Sequence, residues 1–389
     1  MKIEIAILGS TGSIGKSLLN IIEKDQKKFD IKLLTANKDY RTILNQAKKF
    51  NVKNLIITDP KSFKKIKEKN KNFQLNIYNS FKNFNKIFKK KIHYVMSSIV
   101  GIEGLEPTIN IIKFTKKIAI ANKESIICGW NLIKKELKKN NTKFIPVDSE
   151  HFSLWYGLNN FKADTVEKIY LTASGGPFYK MPLSKFKKIT INQATNHPNW
   201  KMGKKISIDS STMINKIYEV IEAKNIFDIS HKNIEILIHP NSYVHALIKF
   251  NNGMIKLIAH ETTMKIPIFN TIYSESIKKI KSKEINLKNL NKLNFNKVSN
   301  RRFPIIKLLK LLPDKHSLFE TVIVSANDTL VELFLKEKIK YIDIQKKLFA
   351  FIKKPELSKF KKIYPKNIKD IIKLNNYVRL KILKNVYKS

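Results

Sequence analysis

One cysteine, Cys128, stands among 389 residues. A lone thiol closes no internal disulfide and builds no cysteine zinc cluster, which excludes a secreted, disulfide-stapled scaffold. Acidic side chains are scarce as well: 31 Asp and Glu face 75 Lys and Arg, for a formal net charge of +44. No apolar run approaches the ~20 residues that a bilayer span needs, so no membrane association is expected. The opening run Lys2-Ile3-Glu4-Ile5-Ala6-Ile7-Leu8 reads as a strand with no targeting signal, and the expected location is a reducing cytoplasm. What is present is ample for a core: 43% hydrophobic and 27% charged residues exclude a disordered chain. At roughly 150 residues per domain, the length predicts two or three domains.

The positive charge invites a nucleic-acid reading, because basic surfaces attract phosphate backbones. Its distribution argues against a specific one. Lysine runs the whole length beside abundant Asn, Ile, Phe and Tyr, all encoded by A/T-rich codons, so base composition accounts for it. Nonspecific adhesion to polyanions at low salt is the expectation.

Strands alternate with amphipathic stretches over the first part of the chain. Apolar runs at Ile3–Leu8, Ile31–Thr35, Asn54–Thr58, His93–Ser97, Ile118–Ala121 and Phe144–Val147 flank helical patterns such as Lys16–Lys24 and Tyr40–Phe50. That alternation predicts an α/β fold with a Rossmann-like parallel sheet. A central α+β region follows, with strands at Ile169–Thr172, Glu235–Ile238, Val244–Phe250 and Met254–His260. Helical periodicity dominates the remainder, at Ile305–Leu312, Leu318–Glu337, Ile344–Ile352 and Ile368–Val386. The expected organisation is residues 1–148, residues 149–275, a Lys/Asn-rich connection 276–302 and a C-terminal helical domain 303–389.

Gly9-Ser10-Thr11-Gly12-Ser13-Ile14-Gly15 joins the first strand to the first helix. Glycines there allow a tight turn and close backbone approach, so the helix N-terminus can hold a pyrophosphate. The second strand runs into Asn37-Lys38-Asp39, where Lys38 suits a nucleotide 2′-phosphate and favours NADP over NAD, although Asp39 blurs the choice. Further on, Pro146-Val147-Asp148-Ser149-Glu150-His151 follows a strand. If the chain stays extended, Asp148 and Glu150 project together, and two hard carboxylates suit Mg²⁺ or Mn²⁺ better than zinc. A helix expected to start at Thr212 presents Asn215 and Glu219 on one face with Lys216 beside them. Thr172-Ala173-Ser174-Gly175-Gly176 is a strand end with a glycine turn, either a plain loop or a phosphate cradle. The aperiodic run His197-Pro198-Asn199-Trp200-Lys201-Met202-Gly203 reads as a loop or as a lid over a charged ligand.

Taken in order along the chain, these motifs resemble the 1-deoxy-D-xylulose 5-phosphate reductoisomerase family, together with Ala121-Asn122-Lys123-Glu124-Ser125, Ile206-Ser207-Ile208-Asp209-Ser210, Ile238-His239-Pro240-Asn241-Ser242 and Ala326-Asn327. The resemblance implies an NADPH- and divalent-metal-dependent enzyme that converts 1-deoxy-D-xylulose 5-phosphate to 2-C-methyl-D-erythritol 4-phosphate, working as a homodimer through its central domain. It implies that Thr11, Gly12, Ser13 and Ile14 hold the cofactor's phosphates, that Asn37, Lys38 and Asp39 surround its 2′-phosphate, and that Asn122, Glu124 and Gly203 complete the nucleotide contacts. Asp148, Glu150 and Glu219 would bind the metal and, with Lys123, act in catalysis. Lys123, Ser149 and Glu150 would hold the hydroxyketone end of the phosphosugar. Ser174, His197, Ser210, Asn215 and Lys216 would serve mainly its phosphate, with Glu219 nearby, and Trp200 and Met202 would lie on the lid.

The chain departs from the family pattern in places. Asn215-Lys216-Ile217-Tyr218-Glu219 stands where Asn-Lys-Gly-Leu-Glu is usual. His260-Glu261-Thr262-Thr263-Met264-Lys265 replaces the usual Gly-Glu-Pro-Asp-Met-Arg. His245 is read as either lid support or core, and His260 as a packing or surface residue.

Overall fold

The computed structural model describes residues 2–69, 74–159, 161–200, 202–274 and 278–387. Lys201 of the expected lid and the first two residues of the expected connection, Ser276 and Ile277, lie outside the described residues. The chain forms two compact units. The first comprises Met1–Ser125, Leu132–Phe152 and Met264–Lys281; the second comprises Ile126–Asn131, Ser153–Thr263 and Ser282–Ser389.

In the first unit, β1 (Ile3–Leu8), β2 (Phe29–Ala36), β3 (Asn54–Ile57), β4 (Asn76–Tyr78), β5 (Ile92–Ser97), β6 (Thr115–Ile120) and β7 (Lys143–Pro146) make one sheet among the described residues. Its order is β4-β3-β2-β1-β5-β6-β7, and every pairing is parallel. The chain leaves β1 first to one side and then to the other, so strand order reverses beside β1, and a ligand crevice belongs at the carboxyl ends there. Strands covered on both faces need near-continuous apolar runs, and Ile5, Ala6, Ile7 and Leu8 are fully buried. β4 escaped the sequence reading because three residues, exposed Asn76 and half-exposed Ile77 and Tyr78, carry too short a pattern.

The helix Ser13–Glu23 buries Leu18, Leu19 and Ile22 in this core. Each such burial stabilises by roughly 1.5–3 kcal/mol. A segment remote in sequence, the helix Lys265–Tyr273, adds Ile268, Phe269, Ile272 and Tyr273 to the same core. Tyr94 Oη and Thr271 Oγ1 meet at 2.8 Å there.

In the second unit, β8 (Val166–Ala173), β9 (Ile234–Ile238), β10 (Val244–Phe250), β11 (Ile255–Ala259) and β12 (Asn296–Lys297) form a sheet in the order β11-β10-β8-β9-β12. Only β8 and β9 run parallel; the other pairs are antiparallel. The helices Leu318–Leu335, Tyr341–Ile352 and Ile368–Tyr387 make the expected helical C-terminal region, whereas the stretch expected as a helix at Ile305–Leu312 is a 3₁₀ run, Pro304–Leu311. Ser317 caps the first of them: the Glu320 carboxylate accepts the Ser317 N–H at 3.1 Å, and Ser317 Oγ accepts the Phe319 N–H at 3.1 Å. Buried Lys224 donates to Glu320 at 2.9 Å and to the Pro313 carbonyl at 3.2 Å.

Candidate active site

The glycine loop is built from backbone. Gly9 turns the chain out of β1 with φ +83°, and a Cβ there would lie 2.8 Å from the Ser98 carbonyl oxygen. At Gly15 a Cβ would stand 2.5 Å from Ser10 Cα, so only glycine lets the helix begin this close to the strand. Between them Gly12 and Ser13 are exposed, and Thr11 and Ile14 half-exposed. Gly12 is the N-cap of the helix Ser13–Glu23 and no side chain caps it. Its first-turn N–H groups are therefore suited to an anion.

At the end of β2, Asn37, Lys38 and Asp39 are all exposed. Asn37 Nδ2 donates to Thr58 Oγ1 at 2.8 Å. Asp39 is turned onto the next helix, Tyr40–Phe50, where its Oδ1 accepts the Thr42 N–H at 3.1 Å. That cap points a carboxylate at a helix N-terminus, a favourable place for negative charge, and leaves Lys38 as the cation of the trio.

Asn122 caps the helix Lys123–Lys139, its Oδ1 accepting the Ser125 N–H at 2.5 Å. Its Nδ2 donates to the carbonyls of Ile99 and Gly101, the latter at 2.8 Å. Glu124 is buried in the first turn of that helix. Lys123 is ion-paired with half-buried Asp148. The chain does not stay extended past Asp148, the condition on which Asp148 and Glu150 would have projected together from one strand face. A helix, Ser149–Gly157, begins at the next residue, and the Asp148 carbonyl accepts the Phe152 N–H at 2.7 Å. Acidic residues favour a helix start, so Asp148 and Glu150 serve its first turn instead of one strand face. Ser149 Oγ donates to Glu150 at 2.6 Å, and His151 Nδ1 lies 3.9 Å from Asp148 Oδ1. Burial raises the Asp148 pKa, but the charges of Lys123 and His151 and hydrogen bonds with Glu150 and Lys123 outweigh it. The carboxyl is held well below the usual range and is ionised at neutral pH.

In the second unit, the helix Lys204–Thr212 ends at Met213, which adopts a left-handed φ of +70°, and the helix Ile214–Phe227 begins at once. Thr212 thus closes one helix instead of opening the next. Ser211 Oγ and Thr212 Oγ1 donate back to the carbonyls of Ile208 and Asp209, at 2.8 and 3.2 Å. These residue types bond locally at either end of a helix, which is why the sequence misled. The spacing of Asn215 and Glu219 does bring them together: Asn215 Nδ2 donates to Glu219 Oε1 and Lys216 Nζ to Glu219 Oε2, each at 2.5 Å. Among the described residues, the buried Asn215 Oδ1 has no hydrogen-bond partner.

Gly175 and Gly176, with φ +85° and +66°, lead from β8 past Ser210; a Cβ on Gly176 would lie 3.2 Å from the Ser210 carbonyl. Ser174 Oγ accepts the Gly176 N–H at 3.0 Å and meets His197 Nε2 at 3.1 Å. His197 Nδ1 accepts two N–H groups, from Asn199 at 3.1 Å and Trp200 at 3.0 Å. An atom that accepts twice carries no proton, so the proton sits on Nε2 and points at Ser174. Burial, with the Lys216 charge second, lowers the His197 pKa to about 4, so the ring is a neutral donor at pH 7. Gly203 is the N-cap of the helix Lys204–Thr212, and among the described residues no side chain caps it and nothing lies within 4 Å of a Cβ there. Met202 beside it is half-exposed.

Other residues of the quoted motifs support this arrangement through partners that the sequence did not reveal. Asn199 Nδ2 donates to the Pro240 carbonyl at 2.7 Å and to Ser242 Oγ at 2.8 Å, pinning the loop that carries His197 and Trp200 to the end of β9. Buried Asp209 receives Lys205 Nζ at 2.9 Å and Asn327 Nδ2 at 2.8 Å, bracing the helix break that carries Ser210 and Asn215. Of the packing and surface readings of His260, packing holds: it stacks on His245 with ring centroids 3.7 Å apart. Among the described residues, no helix is long and apolar enough to cross a membrane.

Comparison with known proteins gives a consistent result. Residues 5–129 match the profile of 1-deoxy-D-xylulose 5-phosphate reductoisomerase. Residues 144–227 and 260–381 match two profiles of the enzyme's C-terminal domain. A reductoisomerase of that name from Pelagibacter ubique is 58% identical over 381 residues, covering 97% of this chain and 98% of its own. One from Clostridium novyi is 38% identical over 387 residues, covering 98% and 99%. Among solved structures, a DOX-P reductoisomerase in complex with NADPH, fosmidomycin and magnesium superposes with a TM-score of 0.90 at 29% identity, covering 99% of this chain and 98% of that one. The Zymomonas mobilis enzyme with NADPH gives 0.87 at 29% identity, covering 99% of both. By sequence and by fold, this chain belongs to the 1-deoxy-D-xylulose 5-phosphate reductoisomerase family.

Proposed function

We propose that the chain converts 1-deoxy-D-xylulose 5-phosphate to 2-C-methyl-D-erythritol 4-phosphate, using NADPH and a divalent cation, Mg²⁺ or Mn²⁺, in the non-mevalonate route to isoprenoids. The observation that carries this reading is Asp148, a carboxylate kept ionised against its partial burial beside Lys123. Simple hydride transfer to an aldehyde needs no such hard oxygen ligand, which disfavours an ordinary NADP dehydrogenase. The donor chemistry fits a metal, and the glycine-built, uncapped helix start fits a dinucleotide.

When bound, the cation supplies Lewis acidity at the substrate's carbonyl and hydroxyl oxygens, and NADPH supplies the reducing equivalent for the aldehyde formed by rearrangement. Asp148, Glu150 and Glu219 are the metal ligands on this reading. Lys123 neutralises oxyanion charge, while Ser149 and Glu150 hold the hydroxyketone end; Glu150 is the preferred proton carrier. The His197 Nε2–H, Ser174, Ser210, Asn215 and Lys216 hold the phosphate. Thr11, Gly12, Ser13 and Ile14 take the pyrophosphate. Lys38, with Asn37 and Asp39, takes the 2′-phosphate, and Asn122, Glu124 and Gly203 complete the nucleotide site. Trp200 and Met202 cover the substrate and exclude water.

A homodimer in the cytoplasm completes the proposal. β11 is a sheet edge in the second unit, and its Ile255 and Leu257 are exposed, as are Met254 before it and Tyr156 on the helix Ser149–Gly157. An apolar edge strand invites pairing with a second copy. Sedimentation should give a dimer for the native chain and a monomer for Leu257→Lys; a native monomer removes this part of the reading. The activity itself is tested by NADPH oxidation with 1-deoxy-D-xylulose 5-phosphate, with Mg²⁺ and again with excess chelator. Metal-dependent turnover that yields methylerythritol phosphate is expected. Its absence in folded, NADPH-binding protein overturns the assignment.

A further inference from the structure

His260 stands just beyond β11, at the head of the segment where family members usually begin with glycine. A glycine presents no ring, so whatever this imidazole does is peculiar to chains that carry it. Here it lies face to face with His245 of β10, the centroids 3.7 Å apart and the planes 19° from parallel. Both rings are oriented by carbonyl oxygens, which only accept. His260 Nδ1 donates to the Glu261 carbonyl at 2.7 Å, and His245 Nε2 donates to the His260 carbonyl at 3.2 Å. The buried Nε2 of His260 has no hydrogen-bond partner among the described residues, so beyond the local Nδ1 bond to Glu261 it is the face of the ring that reaches another strand.

The indole of Trp200 stands edge-on to His245, with centroids 6.2 Å apart and planes at 67°. The Trp200 backbone is held separately, its N–H donated to His197 Nδ1 at 3.0 Å. The two segments are also tied through Ser242, whose Oγ accepts from Asn199 Nδ2 at 2.8 Å and whose carbonyl accepts from Thr262 Oγ1 at 3.1 Å. Trp200 is therefore fixed at its backbone by His197 and at its side chain by a ring that His260 braces.

We propose that His260 is a positioning residue for substrate binding: by stacking on His245 it sets the indole of Trp200 in the arrangement that covers the phosphosugar. This rests on the reading of Trp200 as a lid residue in the proposed function. A single aromatic stack is a modest contact, so its loss should raise the KM for 1-deoxy-D-xylulose 5-phosphate about three- to tenfold. Because a lid residue acts on binding more than on the bond-making steps, kcat should stay within about twofold and NADPH affinity should not move.

The test uses the full chain labelled with 5-fluorotryptophan, in which the Trp200 fluorine resonance is the one lost in Trp200→Phe. In His260→Gly that resonance is expected to shift and broaden, with the rise in KM. His260→Phe, which keeps the flat ring and removes its nitrogens, is expected to restore both. An unchanged Trp200 resonance and KM in His260→Gly overturns the proposal, as does failure of His260→Phe to restore them. The fluorine readout needs no turnover, so it decides the role of His260 even where the native chain fails to consume the substrate, an outcome that instead sinks the proposed function.

Discussion

Two buried Lys–Glu pairs share the helix Ile214–Phe227, roughly two turns apart. At its start Lys216 meets Glu219 at 2.5 Å; near its end Lys224 meets Glu320 at 2.9 Å. Exposure barely separates them, at 8% and 1% for the side chains of the first pair and 6% and 0% for the second. Their surroundings do. Glu320 also takes the N–H and the hydroxyl of Ser317, while Lys224 reaches the Pro313 carbonyl, so this pair caps a helix using protein groups. Glu219 is tied instead to Asn215, whose buried Oδ1 has no hydrogen-bond partner among the described residues. Burial of charge alone therefore does not distinguish the two pairs; what else each carboxylate and its neighbours are bonded to does.

The contrast is open to direct attack. Glu219→Gln should lower turnover on the order of ten-thousandfold, since it removes a proposed metal ligand, and Asp148→Asn should match it. In both, the protein should still fold and NADPH binding should stay near native, with melting lowered in Glu219→Gln because Lys216 loses its buried partner; joint loss of folding and NADPH binding would erase the distinction between the pairs. Lys224→Met should do the reverse, costing about 3 kcal/mol in urea unfolding because Glu320 is left as an uncompensated buried charge, with kcat/KM preserved. Smaller again, Lys38→Asp should weaken NADPH about tenfold or more and leave NADH unchanged in a fluorescence titration. Equal effects on both nucleotides would detach Lys38 from the 2′-phosphate.

The smallest effect concerns pH. Burial depresses the His197 pKa to about 4, so the unfolded chain binds the proton more readily than the folded one. The contribution is absent above the ordinary value near 6.5, and stability declines as pH falls from there toward 4. His197→Gln should flatten that part of the melting-temperature profile between pH 6.5 and 4; an unchanged slope assigns the decline to other groups.

Local features were legible in the sequence. The glycine loop announces itself because Gly9 and Gly15 answer to neighbouring backbone, and β1 is a continuous apolar run. Features that depend on remote partners were not. The break at Met213 needs a left-handed residue with no glycine to signal it. The turn of Asp148 and Glu150 into a helix overrode a plausible strand pattern. Nothing near Asn199 in sequence points to Ser242, and nothing near His260 points to the face of His245.

The strands of the first unit are complete by Pro146, yet the helix that seats Ile268, Phe269, Ile272 and Tyr273 in their core begins only at Lys265. A ribosome adding about 5–20 residues per second leaves that interval of 119 residues open for roughly 6 to 24 s. Throughout it, the nascent sheet holds an uncovered greasy flank that is open to premature clumping. A chain cut before Met264 would lack those four side chains and keep that flank bare, whatever the merits of its nucleotide loop.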